Sequence, residues 1–183
     1  MDMNILGNTG LQVSRLGIGL AEIGVQITHE EGSEAARVLN IALDNGINFL
    51  DTAGCYGISE ELIGNSISHR RDEYILATKC GHATGDYQGE SWTAQTIRDS
   101  VDRSLERMKT DYLDLVQLHS CSVDILKRGE VTEALLDAQR IGKTRFVGFS
   151  GDNESANWAI DSGLFDTLQT TFNLVDQRQF DNA

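Results

Sequence analysis

Apolar positions along the chain switch repeatedly between a period of two and a period of 3.6. Leu6-Gly-Asn-Thr-Gly-Leu-Gln-Val-Ser14 alternates about an Asn-Thr-Gly turn and predicts a short hairpin, placed to plug one end of something larger. Leu16–Leu20 reads as a first buried strand. Glu34–Asn45 then sets Ala35, Leu39 and Ala42 on one face with Val38 and Ile41 beside them, which is helical spacing. Gly46 stands where a helix C-terminal cap belongs. Strand Ile47–Asp51, helix Glu60–Ser68 and strand Tyr74–Thr78 follow. Thr93 opens a helix with Ile97, Val101, Leu105 and Met108 on one face. Strand Leu113–Leu118, helix Thr132–Arg140, strand Thr144–Phe149, helix Glu154–Asp161 and strand Thr167–Thr170 complete the series.

Strict alternation of strands and helices predicts an α/β fold with right-handed parallel crossovers, either an open doubly wound sheet or a (β/α)8 barrel. A dinucleotide-binding open sheet would show G-x-G-x-x-G after its first strand. Gly17-x-Gly19 is only a fragment of that pattern, with no third glycine in place and no helix starting at once. The barrel is therefore the expected architecture, and residues 1–183 are expected to form one domain.

Charge and cysteine count narrow the function classes. The chain has 15 Lys plus Arg against 28 Asp plus Glu, a formal net charge of −13, so its long-range field repels nucleic-acid backbones and anionic lipid. Neither a signal peptide nor a long apolar span is legible, and three cysteines make no disulfide framework, so a reducing, cytoplasmic setting is expected.

Candidate chemistry sits at the strand ends. Period-two alternation puts Asp51 on a face with Phe49 and Ile47, Lys79 with Ala77 and Ile75, and His119 with Gln117 and Leu115. Tyr56 lies five residues after Asp51, in the loop leaving the same rim. Taken singly, an Asp there ordinarily caps a turn, a Lys faces solvent and a His is structural. In a parallel barrel, however, the C-terminal strand ends form the active-site rim, and three consecutive strands here each finish with an ionisable residue. Tyrosine ordinarily loses its proton near pH 10; an ammonium beside it favours the phenolate and an imidazole can relay the proton, which makes the phenol a usable general acid.

Four segments in order carry a wider resemblance: Leu6-Gly-Asn-Thr-Gly-Leu-Gln-Val-Ser-Arg-Leu-Gly-Ile-Gly19, Ala42-Leu-Asp-Asn-Gly-Ile-Asn-Phe-Leu-Asp-Thr-Ala-Gly-Cys-Tyr-Gly57, Leu76-Ala-Thr-Lys79 and Thr110-Asp-Tyr-Leu-Asp-Leu-Val-Gln-Leu-His119. Through nearly its whole length the chain resembles the aldo-keto reductases. The resemblance implies Tyr56 as proton donor to a substrate carbonyl, Lys79 and Asp51 as the pair that tunes it, and His119 as the residue that orients the carbonyl. It implies NADP(H) or NAD(H) as hydride source and a small-molecule carbonyl compound as substrate. Ser150 and Gln169 match positions that hold the nicotinamide carboxamide, with Gly19 a further cofactor-facing position. Gly151-Asp152 stands where many members carry asparagine.

A complete barrel needs eight β/α units and about 250 residues. Six units are legible, so an incomplete (β/α)8 barrel lacking the last two units is expected, with cofactor binding weakened or lost. The open edges would be covered by further chain, by the last residues, or by a second copy; a homo-oligomer pairing the first- and sixth-strand edges is the expectation. The rival reading is a non-catalytic binding or assembly protein of reductase descent. A third is a zinc hydrolase using Cys55, Cys80, His82, His119 and Cys121, although Cys80-Gly-His82 and His119-Ser-Cys121 lack the usual ligand spacing, and no metal is expected.

Overall fold

The computed structural model describes residues 1–28 and 31–178, and the final residues invoked above as a possible cover lie outside them. Six strands form one sheet: β3 (Ile18–Gly19), β4 (Phe49–Asp51), β5 (Ile75–Cys80), β6 (Leu113–His119), β7 (Thr144–Ser150) and β8 (Thr167–Gln169). Each pairs in parallel with the next in chain order. A doubly wound sheet would reverse its strand order part-way; this one never does, which is the barrel arrangement. The sheet curls as six of the eight strands of a (β/α)8 barrel.

Alternation sorts the two faces. Leu50, Leu76, Val116, Leu118, Val147 and Phe149 point outward and are at most 1% exposed, covered by the helices. Burial of each such side chain contributes about 1.5–3 kcal/mol, so this layer holds the helices to the sheet. The helices are α1 (Ala21–Gln26), α2 (Gly32–Asp44), α3 (Ser59–Ile67), α4 (Ala94–Met108), α5 (Val123–Arg128), α6 (Glu130–Arg140) and α7 (Asn153–Ser162), with a 3-10 helix over Ser68–Glu73. On the opposite, concave face Phe49, Leu115, Gln117, Thr167 and Gln169 line a hollow of about 310 Å³. Among the described residues β3 and β8 each lack a second strand neighbour.

Two buried carboxylates clamp opposite ends of this assembly. Asp114, 1% exposed, accepts from Arg71 Nη2 at 2.6 Å, Arg145 Nη1 at 2.7 Å and the Leu76 amide at 2.9 Å, joining β5, β6 and β7. Glu60, 2% exposed, accepts from Thr78 Oγ1 at 2.7 Å, Ser104 Oγ at 2.6 Å and Arg107 Nη1 at 3.3 Å, joining α3, β5 and α4.

The hairpin forms with its first strand earlier than predicted: β1 (Met3–Ile5) pairs with β2 (Gln12–Ser14) across a longer loop. Asn48, just before β4, anchors it by donating to the Gln12 carbonyl and accepting from the Ser14 amide, so it sits at the sheet's N-terminal end. Most predicted helices and strands shift by one or two residues. The first strand shrinks from Leu16–Leu20 to two residues, and α1 and α5 were not predicted. Gly46 does close α2, at φ +79°. No helix among the described residues is long and apolar enough to cross a membrane.

Replacing Asp114 by alanine leaves the Arg71 guanidinium, whose side chain is 12% exposed, without its carboxylate. Loss of one partner from a buried ion pair costs about 3–5 kcal/mol, so the urea midpoint of Asp114→Ala should fall steeply. A midpoint within error of the parent would show that the clamp contributes nothing.

Candidate active site

The period of two in β4, β5 and β6 carries Asp51, Lys79 and His119 to the same C-terminal rim, on the concave side. Lys79 is 3% exposed, and an ammonium so far from water must be held by fixed oxygens. Its Nζ donates to Asp51 Oδ1 at 2.9 Å, Asp51 Oδ2 at 2.8 Å and the Thr52 carbonyl at 3.0 Å. The Tyr56 hydroxyl lies 3.4 Å from the same Nζ, and the ammonium is 4.9 Å from the tyrosine ring centre.

Tyr56 owes its position to close backbone packing. Its amide donates to the Ala53 carbonyl and its carbonyl accepts from Ser59, closing the loop between β4 and α3. Gly24 of α1 passes directly behind: a Cβ built there would lie 2.0 Å from the Tyr56 carbonyl oxygen, so only glycine fits. Gly57 meets the same helix at φ +53°.

His119 is wedged between two rings, edge-on to Tyr56 at 5.7 Å and to His82 at 5.2 Å between centres. His82 Nε2 donates to the His119 carbonyl at 3.0 Å. Cys55 Sγ lies 3.3 Å from His119 Nδ1. Burial first, then the Lys79 and His82 charges, lower the His119 pKa to about 4, so the imidazole is neutral at physiological pH.

Of the candidate cofactor residues, Ser150 and Gln169 border a cleft of about 230 Å³ that also reaches Tyr56 and Lys79, whereas Gly19 is not part of its lining. Ser150 ends β7, and among the described residues its hydroxyl has no hydrogen-bond partner. Gln169 is tied into the rim: its Oε1 accepts from Gln117 at 2.9 Å and its Nε2 donates to Asp51 Oδ2 at 3.1 Å. Gly19 pairs in register with Asp51, and a Cβ there would meet nothing within 4 Å. Asp152 receives Thr170 Oγ1 at 2.6 Å and the Thr171 amide at 2.7 Å, bonds that hold its carboxyl below the usual range.

Sequence reasoning considered Cys55 only as a metal ligand and did not single out Gly24 or Ser120. Ser120 has φ +60° directly after His119, and its amide donates to the Ser150 carbonyl at 2.6 Å. A non-glycine residue held there is stored strain of the kind that collects at functional sites. Cys80 and Cys121 are buried, and burial pushes the Cys121 thiol up to about 12 and Cys80 up as well. Among the described residues no three His, Cys, Asp or Glu side chains are grouped to hold a metal ion.

Comparison with known proteins places the chain in a lineage. A model of the aldo/keto reductase family matches residues 15–181. The chain belongs to that family. L-galactose dehydrogenase of Arabidopsis thaliana is 35% identical over 158 residues, 82% of this chain and 49% of that protein. 6-Dehydroglucose reductase of Novosphingobium aromaticivorans is 36% identical over 181 residues, 91% of this chain and 57% of that protein. Among solved structures, the putative aldo-keto reductase PA4992 of Pseudomonas aeruginosa superposes with a TM-score of 0.88 at 36% identity, covering 98% of this chain and 71% of that one. The chain thus spans about half the length of the curated relatives it matches. As an aldo/keto reductase family member it is similar to oxidoreductases throughout its length.

The depressed His119 pKa has a defined pH consequence. The unfolded chain takes up a proton near 6.5 and the folded one only near 4, so this residue lowers stability as pH falls through that interval and has no effect above it. The His119 ring resonances should therefore stay fixed through the ordinary histidine range and move only as pH approaches 4. A midpoint near 6.5 would contradict the buried, lysine-flanked environment.

Proposed function

We propose that this chain carries the proton-donating machinery of an NAD(P)H-dependent carbonyl reductase. The observation that supports it best is the convergence on one oxygen: the Tyr56 hydroxyl lies 3.4 Å from a lysine ammonium that Asp51 holds with both carboxylate oxygens. Tyr56 donates its proton to the substrate carbonyl oxygen as negative charge develops there. The Lys79 ammonium stabilises the charge left on the phenol, and Asp51 keeps Lys79 aimed. His119, neutral, orients the carbonyl by hydrogen bonding and not by charge.

The residues present fit the nicotinamide end of a cofactor. The unpartnered Ser150 hydroxyl and the Gln169 amide face a cleft shared with Tyr56, and hydroxyl plus amide is a donor set suited to a carboxamide. Gln169 would exchange its bond to Gln117 or Asp51 for that contact. NADP(H) or NAD(H), when bound, supplies the hydride that reduces the carbonyl carbon. The names of two relatives carry sugars, and the cleft lining is almost wholly polar, so aldoses and dialdoses head the substrate panel.

The test is oxidation of NADPH or NADH in the presence of that panel, with Tyr56→Phe beside the parent. Removing a general acid costs about 10²- to 10⁴-fold in rate, while Tyr56→Phe keeps the ring that packs on His119. Equal rates for parent and variant would overturn the assignment of Tyr56. No turnover and no cofactor binding by the parent would favour the non-catalytic reading of the same fold.

A further inference from the structure

A neutral imidazole has one N–H and one bare nitrogen, and which nitrogen carries the proton is decided by what the other one meets. The Tyr56 and His82 rings meet His119 edge-on and fix its plane without choosing between tautomers. His82 cannot choose either, because its own Nε2 is engaged by the His119 carbonyl and not by the ring. Among the described residues, the one side chain in hydrogen-bond contact with a His119 ring nitrogen is Cys55, with Sγ 3.3 Å from Nδ1.

We propose that Cys55 is a positioning residue for His119, its thiol donating to Nδ1 and so fixing the ring proton on Nε2, the nitrogen left to meet a substrate carbonyl. An imidazole lone pair is a strong acceptor and sulfur a weak one, so the S–H···N arrangement wins over N–H···S. Burial raises the Cys55 pKa, which keeps the thiol protonated and able to donate. In the opposite tautomer Nε2 would turn a lone pair toward the carbonyl oxygen, and two acceptors would face each other. Cys55 thereby converts a ring that could present either nitrogen into one that presents a donor. The use of that donor rests on the carbonyl-reducing reading of the rim; the place of the proton does not.

Imidazole nitrogen–proton correlation spectra of ¹⁵N-labelled protein read the tautomer directly, with His119→Gln identifying the resonances. The parent should show a bare Nδ1 and a protonated Nε2. Cys55→Ser, which keeps a donor, should preserve that pattern, while Cys55→Ala should draw both nitrogens toward the average of the two tautomers. In turnover, loss of one neutral hydrogen bond predicts that kcat falls about two- to tenfold in Cys55→Ala with KM little changed, and that serine restores it. A protonated Nδ1 in the parent, or a Cys55→Ala spectrum identical to the parent's, overturns the proposal. The parent spectrum decides even where the alanine variant fails to fold. An inactive protein with the expected spectrum would instead refute the reductase reading alone.

Discussion

An ammonium removed from water is among the costliest groups a fold can carry, and the rim of this sheet is organised around one. Lys79 is 3% exposed, and three oxygens from the β4 end offset its desolvation. That requirement fixes β4 against β5, since Asp51 can reach Nζ only from the neighbouring strand end. It also leaves a concentrated positive charge whose remaining neighbours are the Tyr56 hydroxyl and the His119 ring, the two groups to which the proposed function assigns proton donation and carbonyl orientation. Stability and the proposed chemistry are thus coupled: the ion pair that must be satisfied for the β4 and β5 ends to meet is also the charge proposed to prepare the phenol.

Around that pair the fold spends its precision on close approach. Gly24 lets α1 run against the Tyr56 carbonyl, where any side chain would collide. Gln169 extends the network from β8 back to Asp51, so that β4, β5, β6 and β8 all contribute side chains to one hydrogen-bonded line from Gln117 to Tyr56. The carboxylates Glu60 and Asp114 secure the helices and the other end of the strands, away from this line. This framework belongs to an aldo/keto reductase family member whose described residues hold six of the barrel strands.

The barrel order and the four rim residues were legible because strand alternation is local: reading Asp51, Lys79 and His119 as strand-end residues needed only the two positions before each. Met3–Ile5 does alternate apolar and polar, but a strand of three residues, all exposed, is too short for that pattern to set it apart from an ordinary chain start. Helices α1 and α5 are six residues each, too short for a 3.6-residue period to declare itself. The Cys55–His119 contact joins residues 64 apart, and the Gly24–Tyr56 approach is a matter of packing, so neither leaves a local signal. Asp152 illustrates the same limit, because its role in tying Thr170 and Thr171 to the β7 end emerges only when the two loops meet.

The central claim is that Lys79 acts on chemistry through Tyr56 and not independently of it. A double-mutant cycle of Lys79→Met and Tyr56→Phe, measured as single-turnover NADPH oxidation with a reducible aldose, tests that claim directly. If the ammonium serves the phenol, the double variant should be no slower than Tyr56→Phe alone. Fully additive losses, each substitution lowering the rate by the same factor whether or not the other is present, would contradict it.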